Sequence, residues 1–490
     1  MQLGVHDESV PAGSVVPIPG RSVAWSEVVF VLALLSYGQL SVLRSIEHID
    51  VSQWHIANIA YWLPLRTGLA TDEVHAALNH LARRHESLRT VYRLPEEGPP
   101  TQRVEKEPIS VVEYAEIDNS AEAQVALVEA SRQCAFRIED EVGWRATIAT
   151  TDGTPRGIGF CIHHIAADGW AQRIVGQGLS PILKVAPHGP SIDGRDAVRS
   201  PGALASEQRS TSWRERRQRG RRYLRDFLAS GLLTPSPFMP GERLRTLPTR
   251  HDGELRLDHL AGALLSRARG MRLLPHTLLL AAATLTTAAC FDELSAAWWL
   301  MSSNRFDPRT SGLVTSMNQV VPVHADLIPR GTVAELIQRL QANSLASLRY
   351  ASYDVDEFNN LAEEMIGGRP RRQYMFNYAL NEGFTGTDDK RPLDQIPFAE
   401  PRVTSQQKTS AASCYFIVVD EPCLTLEYQT TLPQADERHV AALLRTYETI
   451  LRHVLLQPES SVRRLLDQAV PGIDSADASP HGVGSGASRS

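Results

Sequence analysis

Ile158-Gly-Phe-Cys-Ile-His163-His164-Ile-Ala-Ala-Asp168-Gly169-Trp170 is the stretch on which the reading of this chain turns. Its first half predicts a strand. Strand alternation puts Ile158, Phe160, Ile162 and His164 on one face and Gly159, Cys161 and His163 on the other. Two adjacent histidines so placed do not share a role: one faces a cavity and the other faces the scaffold. An imidazole has an unshifted pKa of about 6.5, so it can take a proton from an attacking amine or alcohol and hand it on. Asp168, four residues on, either orients an imidazole directly or turns away and holds the loop through a salt bridge. Gly169 permits a positive φ or a close approach of substrate to the backbone. A lone histidine here reads as a satisfied core residue. Imidazoles, a carboxyl group and a glycine within seven residues of a strand end read as an active-site loop.

Metal chemistry is not expected. His163 and His164 face opposite ways and cannot chelate together, and neither HExxH nor a CxxC pair is present. Gly157-Ile-Gly159 lacks the remainder of a dinucleotide fingerprint.

Upstream of the loop, Arg145–Thr150 and Gly157–His164 predict strands joined by an Asp152-Gly153 turn. Thr71–His85 predicts a helix with an apolar stripe of Val74, Ala77, Leu78 and Leu81, capped by Thr71 or Asp72. Leu88–Arg93 predicts a strand and Ala121–Cys134 a second helix. Downstream, residues 186–206 read as a Pro/Gly/Ser-rich linker. Ser212–Leu228 predicts a helix with seven arginines, either a solvated face or a dock for an acidic carrier protein. Pro275–Cys290 is apolar on all sides and predicts a buried helix with proline in its first turn. Thr332–Glu335 reads as a capping box, and Asp436–Leu456 as an amphipathic helix. Mixed helices and short strands in both halves indicate an α/β (α+β) architecture.

The length of 490 residues exceeds one ordinary core and predicts two lobes, 23–185 and 186–470, between a loose arm (1–22) and a flexible tail (471–490). A net charge of -6 argues against a nucleic-acid partner. The apolar run Val28–Leu35 is far short of the roughly 20 residues that span a bilayer, and no signal peptide is evident. The five cysteines are scattered, as expected of a reduced, cytoplasmic protein.

His163–Gly169 matches the HHxxxDG signature of the condensation domains of nonribosomal peptide synthetases, and other stretches resemble that family in order. Leu35-Ser-Tyr-Gly-Gln-Leu40 is similar to its opening motif and Asn58–Leu65 to its first strand. Arg84-His-Glu-Ser-Leu-Arg89-Thr90 is similar to RHExLRT. Gly312–Val323 resembles GxxxxFVNTLPL, and Met375–Tyr378 the late FN-containing strand. The resemblance runs from Val28 to Leu466.

It implies two chloramphenicol-acetyltransferase-like lobes in a V-shaped pseudo-dimer with a central tunnel. It makes His164 the catalytic residue, with His163, Asp168 and Gly169 in support. It makes Asp168 a structural residue paired with an arginine of RHExLRT, Arg89 first and Arg84 second. It further implies an acyl donor on the phosphopantetheine arm of a carrier protein met in trans, a small-molecule or carrier-bound acceptor, an amide or ester product, no permanently bound cofactor, no membrane, and a monomer. Two stretches depart from the pattern: MNQV stands in place of FVNT, and Ser352–Phe358 in place of HQDxPFE. Both bear on acceptor recognition more than on chemistry. Other readings of the same residues are an acyl-coenzyme A acyltransferase using His164 and Asp168, and a non-catalytic docking module.

Overall fold

The computed structural model describes residues 32–108, 111–185, 200–236, 247–379, 391–409, 412–420 and 423–469. The predicted arm, tail and most of the 186–206 linker lie outside the described residues. The first half contains β1 (Leu32–Leu34), α1 (Tyr37–Ile46), β2 (Asn58–Pro64), α2 (Thr71–Arg84), β3 (Thr90–Arg93), β4 (Thr101–Val104), β5 (Val112–Glu116), α3 (Ala121–Gln133), β6 (Trp144–Thr151), β7 (Thr154–His163) and α4 (Gly169–Leu179). Helices α5 (Pro201–Arg209) and α6 (Arg214–Ala229) follow. The second half contains β8 (Thr249–Arg256), α7 (Asp258–Met271), α8 (Pro275–Phe291), β9 (Ser295–Ser302), β10 (Gln319–Asp326), α9 (Val333–Leu348), α10 (Val355–Ile366), β11 (Tyr374–Ala379), β12 (Arg402–Gln407), β13 (Cys414–Val419), β14 (Thr425–Thr430), α11 (Glu437–Leu456) and α12 (Val462–Ala469).

Strands before residue 164 form two sheets, ordered β2-β7-β6-β5 and β1-β4-β3. Strands after residue 248 form one sheet, ordered β10-β9-β11-β13-β14-β8-β12. The four-stranded sheet packs its Ile158, Phe160 and Ile162 face on α2 and α4 side chains such as Leu78, Leu81 and Val175. One face of the seven-stranded sheet packs on α8 and α11. In α8 the apolar residues are buried on every side, and its threonines donate back into the helix, as Thr284 does to the Leu280 carbonyl (2.9 Å). A third cluster draws on both halves, joining Leu40, Phe136 and Ile165 to Trp299, Phe358 and Tyr415. No single helix among the described residues is long and apolar enough to cross a membrane.

Several local expectations shift. Helix α2 is capped from Ala70, whose N–H donates to Glu73 (2.8 Å), not by Thr71 or Asp72. The strand expected from Leu88 begins at Thr90, because Glu86–Arg89 closes a 3-10 turn. The expected linker ends before Pro201. There Ser200 caps α5 by accepting from Ala203 N–H (3.0 Å), and proline occupies the first turn, where its missing donor is harmless.

Candidate active site

The hairpin β6–β7 turns through Asp152 (φ 51°) and Gly153 (φ 68°), both in the left-handed region that a tight two-residue hairpin demands. Pairing with β2 sets Asn58 opposite His163. The strand stops at His163, and Asp168 begins α4 as its cap: Oδ1 accepts from Ala171 N–H at 2.8 Å. The heptad is therefore a strand end, a buried turn and a helix start in immediate succession.

The two histidines take different surroundings. His163 is fully buried. Its Nδ1 accepts from Ile165 N–H (3.1 Å), and its ring stands edge-on to Phe136, with centroids 6.2 Å apart. Burial, and secondarily the neighbouring His164, lower its pKa to about 3. It is thus a neutral imidazole, and with Nδ1 accepting, its proton sits on Nε2. His164 is only half-buried. Its backbone N–H donates to Ala57 O (2.8 Å), while its Nδ1, like Nε2 of His163, is a buried atom without a hydrogen-bond partner. In the heptad, His164 and Gly169 are the residues that escape burial.

Gly169 does not take a positive φ. It is the first residue of α4, and a Cβ there would meet nothing within 4 Å. The turn is already made by extended Asp168 (φ -88°, ψ 178°), so the glycine leaves open space rather than relieving backbone strain.

Asp168 also corrects an expectation. Its carboxylate is bound by Arg305, from Nη2 to Oδ1 at 2.9 Å and to Oδ2 at 3.2 Å, and Oδ2 accepts from Met317 N–H at 2.9 Å. The Asp168 and Arg305 side chains are 3% and 1% exposed. Arg305 also donates to the carbonyls of Thr310, Leu313 and Thr315, so one guanidinium pins a whole loop onto the carboxylate. Neither Arg89 nor Arg84 is the partner. Arg89 closes the turn after α2, where its donors are occupied by the carbonyls of Ala82, Glu105 and Lys106. Arg84 is exposed at the end of α2. The RHExLRT-like segment does touch the heptad, but through Ser87, whose hydroxyl donates to Ala166 O at 2.7 Å.

Sequence reasoning missed the stretch that crosses between the halves. Val314 packs in the core of the first half, and Trp170 Nε1 donates to Ser311 O at 2.9 Å. A Cβ on Gly38 would lie 2.4 Å from Ser316 O and 2.5 Å from Met317 Cα, so only glycine admits this crossing. The similarity of 312–323 to a family motif was the one signal pointing here; nothing local marks Arg305. Of the two departures, Asn318 accepts from Ser316 Oγ (2.8 Å), and Asp354 caps α10 by accepting from Asp356 and Glu357 N–H. Among the described residues no group of three or more His, Cys, Asp or Glu is placed to hold a metal.

The sequence profile of the condensation domain matches residues 51–469. The chain belongs to the condensation-domain family. The nonribosomal peptide synthetase penN of Penicillium thymicola is 24% identical over 325 residues, covering 62% of this chain and 11% of penN. The bassianolide nonribosomal cyclodepsipeptide synthetase of Beauveria bassiana is 28% identical over 144 residues, covering 29% of this chain and 4% of that synthetase. This condensation-domain chain thus spans only a small fraction of those relatives. Among solved structures, the condensation domain of the Monacolin K polyketide synthase MokA superposes with a TM-score of 0.68 at 17% identity, over 88% of this chain and 99% of that one. The SgcC5 protein of Streptomyces globisporus superposes with a TM-score of 0.63 at 15% identity, over 87% and 100%. The fold is accordingly the α/β, chloramphenicol-acetyltransferase-like fold of condensation domains, whose two halves form a V-shaped pseudo-dimer. Condensation domains are acyltransferases that make amide or ester bonds with carrier-protein phosphopantetheine arms.

Proposed function

We propose that the chain is a stand-alone condensation enzyme in natural-product (antibiotic) biosynthesis, moving an acyl or aminoacyl group from a carrier-protein thioester to an amine or alcohol beside His164. The carrier is met in trans, in the cytoplasm, by a monomer whose lobes, 23–185 and 186–470, enclose a passage for both substrates. The nucleophile adds to the thioester carbonyl and forms a tetrahedral oxyanion. The carbon–sulfur bond then breaks, the pantetheine thiol leaves with a proton, and an amide or ester remains. His164 either accepts the proton of the nucleophile or hydrogen-bonds the nucleophile and oxyanion into place. His163, Asp168 and Gly169 support the loop from within the heptad, and Arg305 and Ser87 support it from outside. The crossing stretch holds His164 still through Asp168, so that proximity supplies much of the rate.

The observation that carries this reading is the contrast within the histidine pair: His163 is fully buried and neutral, whereas His164 is only half-buried at the strand end. An amide is the first expectation and an ester the second. A second donor class has support of its own, because the starter condensation domain of rhizomide synthetase RzmA was solved in complex with C8-CoA and superposes here with a TM-score of 0.65. Mass spectrometry of product formed from one acyl group, offered in parallel on a holo carrier protein and on coenzyme A, separates the two. Preference for the carrier is expected. Preference for coenzyme A would make the chain an acyl-coenzyme A acyltransferase, and turnover of neither would make it a docking module.

A further inference from the structure

Helix α6 lies outside the site just described and carries a charge that the chemistry does not use. Arg214–Ala229 holds seven arginines against Glu215 and Asp226, a surplus of five positive charges in a chain whose net charge is -6. Its inner side is fixed: Leu224, Phe227 and Leu228 are buried, and the Tyr223 hydroxyl donates to Pro322 O at 2.7 Å. Three of the arginines are engaged. Arg217 donates to the carbonyls of Gln208 and Ser210, Arg219 to Glu215, and Arg216 lies 4.5 Å from the Trp213 ring centre.

The remaining four, Arg214, Arg221, Arg222 and Arg225, are exposed and make no ion pair among the described residues. Their spacing puts them along one outward stripe about 16 Å long. Arg221 and Arg225, and Arg222 and Arg225, are like charges one turn apart, an arrangement that weakens a helix. Asp226 is the one acidic residue on the helix near these three, and it forms no ion pair with them among the described residues.

The stripe is also mechanically close to the site. Arg217 ties α6 to the end of α5, where Gln208 Oε1 accepts from Tyr37 N–H (2.9 Å). From α5, Leu204 packs on Leu313 and Met317, and it is Met317 N–H that binds Asp168.

We propose that this outer stripe of α6 is a docking surface for an acidic face of the carrier protein, the face around the phosphodiester of its phosphopantetheine arm. The inference rests on the proposed function and names the partner's landing place. A stripe of this length fits a macromolecular surface better than a small anion. A nucleic acid is disfavoured, because a long polyanion extends beyond the stripe and is repelled by the acidic balance of the whole chain.

The test uses the full-length protein and a charge-reversed variant, Arg221→Glu/Arg222→Glu/Arg225→Glu, whose fold is verified by circular dichroism. Binding of an octanoyl-loaded holo carrier protein is followed by fluorescence anisotropy at low and high salt. Turnover of the octanoyl group is compared between that carrier and free pantetheine. In the variant, carrier binding should weaken at least tenfold, chiefly through the association rate, and should lose its salt dependence. The ratio of carrier-borne to pantetheine-borne turnover should fall by a similar factor. Carrier binding that is absent in the parent protein, or untouched by the charge reversal, overturns the proposal, as does tighter binding of duplex DNA than of carrier. Charge-sensitive binding without turnover of either donor would sink the proposed chemistry and leave the dock standing.

Discussion

Two arginine-bearing segments touch the loop that holds Asp168, and they differ in where they send their hydrogen bonds. Arg84–Thr90 closes on its own neighbourhood: Arg89 binds carbonyls at 82, 105 and 106, and Ser87 alone reaches the heptad. Residues 303–318 reach across the molecule, and Arg305 places a buried positive charge on Asp168 while Met317 adds a backbone donor. The first segment shapes one half of the molecule. The second fixes the two halves to each other at the loop bearing His164. The site is therefore a property of the pair of halves, which neither holds alone.

The largest expected effect comes from breaking the cross-molecule pair. Arg305→Ala leaves a buried carboxylate without its counter-charge and should cost about 3–5 kcal/mol in denaturant unfolding. A double-mutant cycle should show strong coupling between Asp168 and Arg305 and almost none between Asp168 and Arg89; the reverse result would restore the sequence-based pairing. Gly38→Ala should cost about 1–3 kcal/mol, because backbone atoms at 2.4 and 2.5 Å must move. Gly169→Ala meets nothing within 4 Å and should change stability by less than about 0.5 kcal/mol. Equal costs at the two glycines would contradict the close crossing at α1.

A smaller effect separates the two histidines by pH. His163 has a folded pKa of about 3 against 6.5 for an ordinary histidine. Its contribution is complete above pH 6.5. Below that, the unfolded chain takes up a proton that the folded chain refuses, so stability falls by up to about 1.4 kcal/mol per pH unit until the folded pKa is approached. His85 and His276, each lowered to about 4 by burial, act in the same direction. His163→Asn keeps an acceptor for Ile165 N–H and removes the titration, so its stability should decline less steeply between pH 6.5 and 4. An unchanged slope would mean that His163 is not held neutral.

Much of this arrangement was legible before any coordinates. Strand alternation separates His163 from His164, and the two do sit in different surroundings. Long elements could be read because each carries its own signal: an apolar stripe in α2 and α11, and an apolar run on all sides in α8. The partner of Asp168 could not, since Arg305 lies 137 residues away in a loop without periodicity and its role comes from packing between the halves. Of the two readings of Gly169, the positive φ is not taken, because the capping carboxylate of Asp168 makes the turn without strain; the open space beside the glycine fits the other, a close approach to the backbone. The start of α5 was hidden because serine and proline mark helix caps as readily as linkers.

The central claim is that the imidazole of His164, and not that of its neighbour, acts on the reacting groups. Turnover of a loaded donor by His164→Ala, measured alongside its thermal midpoint, tests this most directly. The variant should keep the parental midpoint and lose roughly 10²–10⁴-fold in rate, the range set by a positioned proton-transfer group. A folded His164→Ala protein turning over at the parental rate would contradict the account.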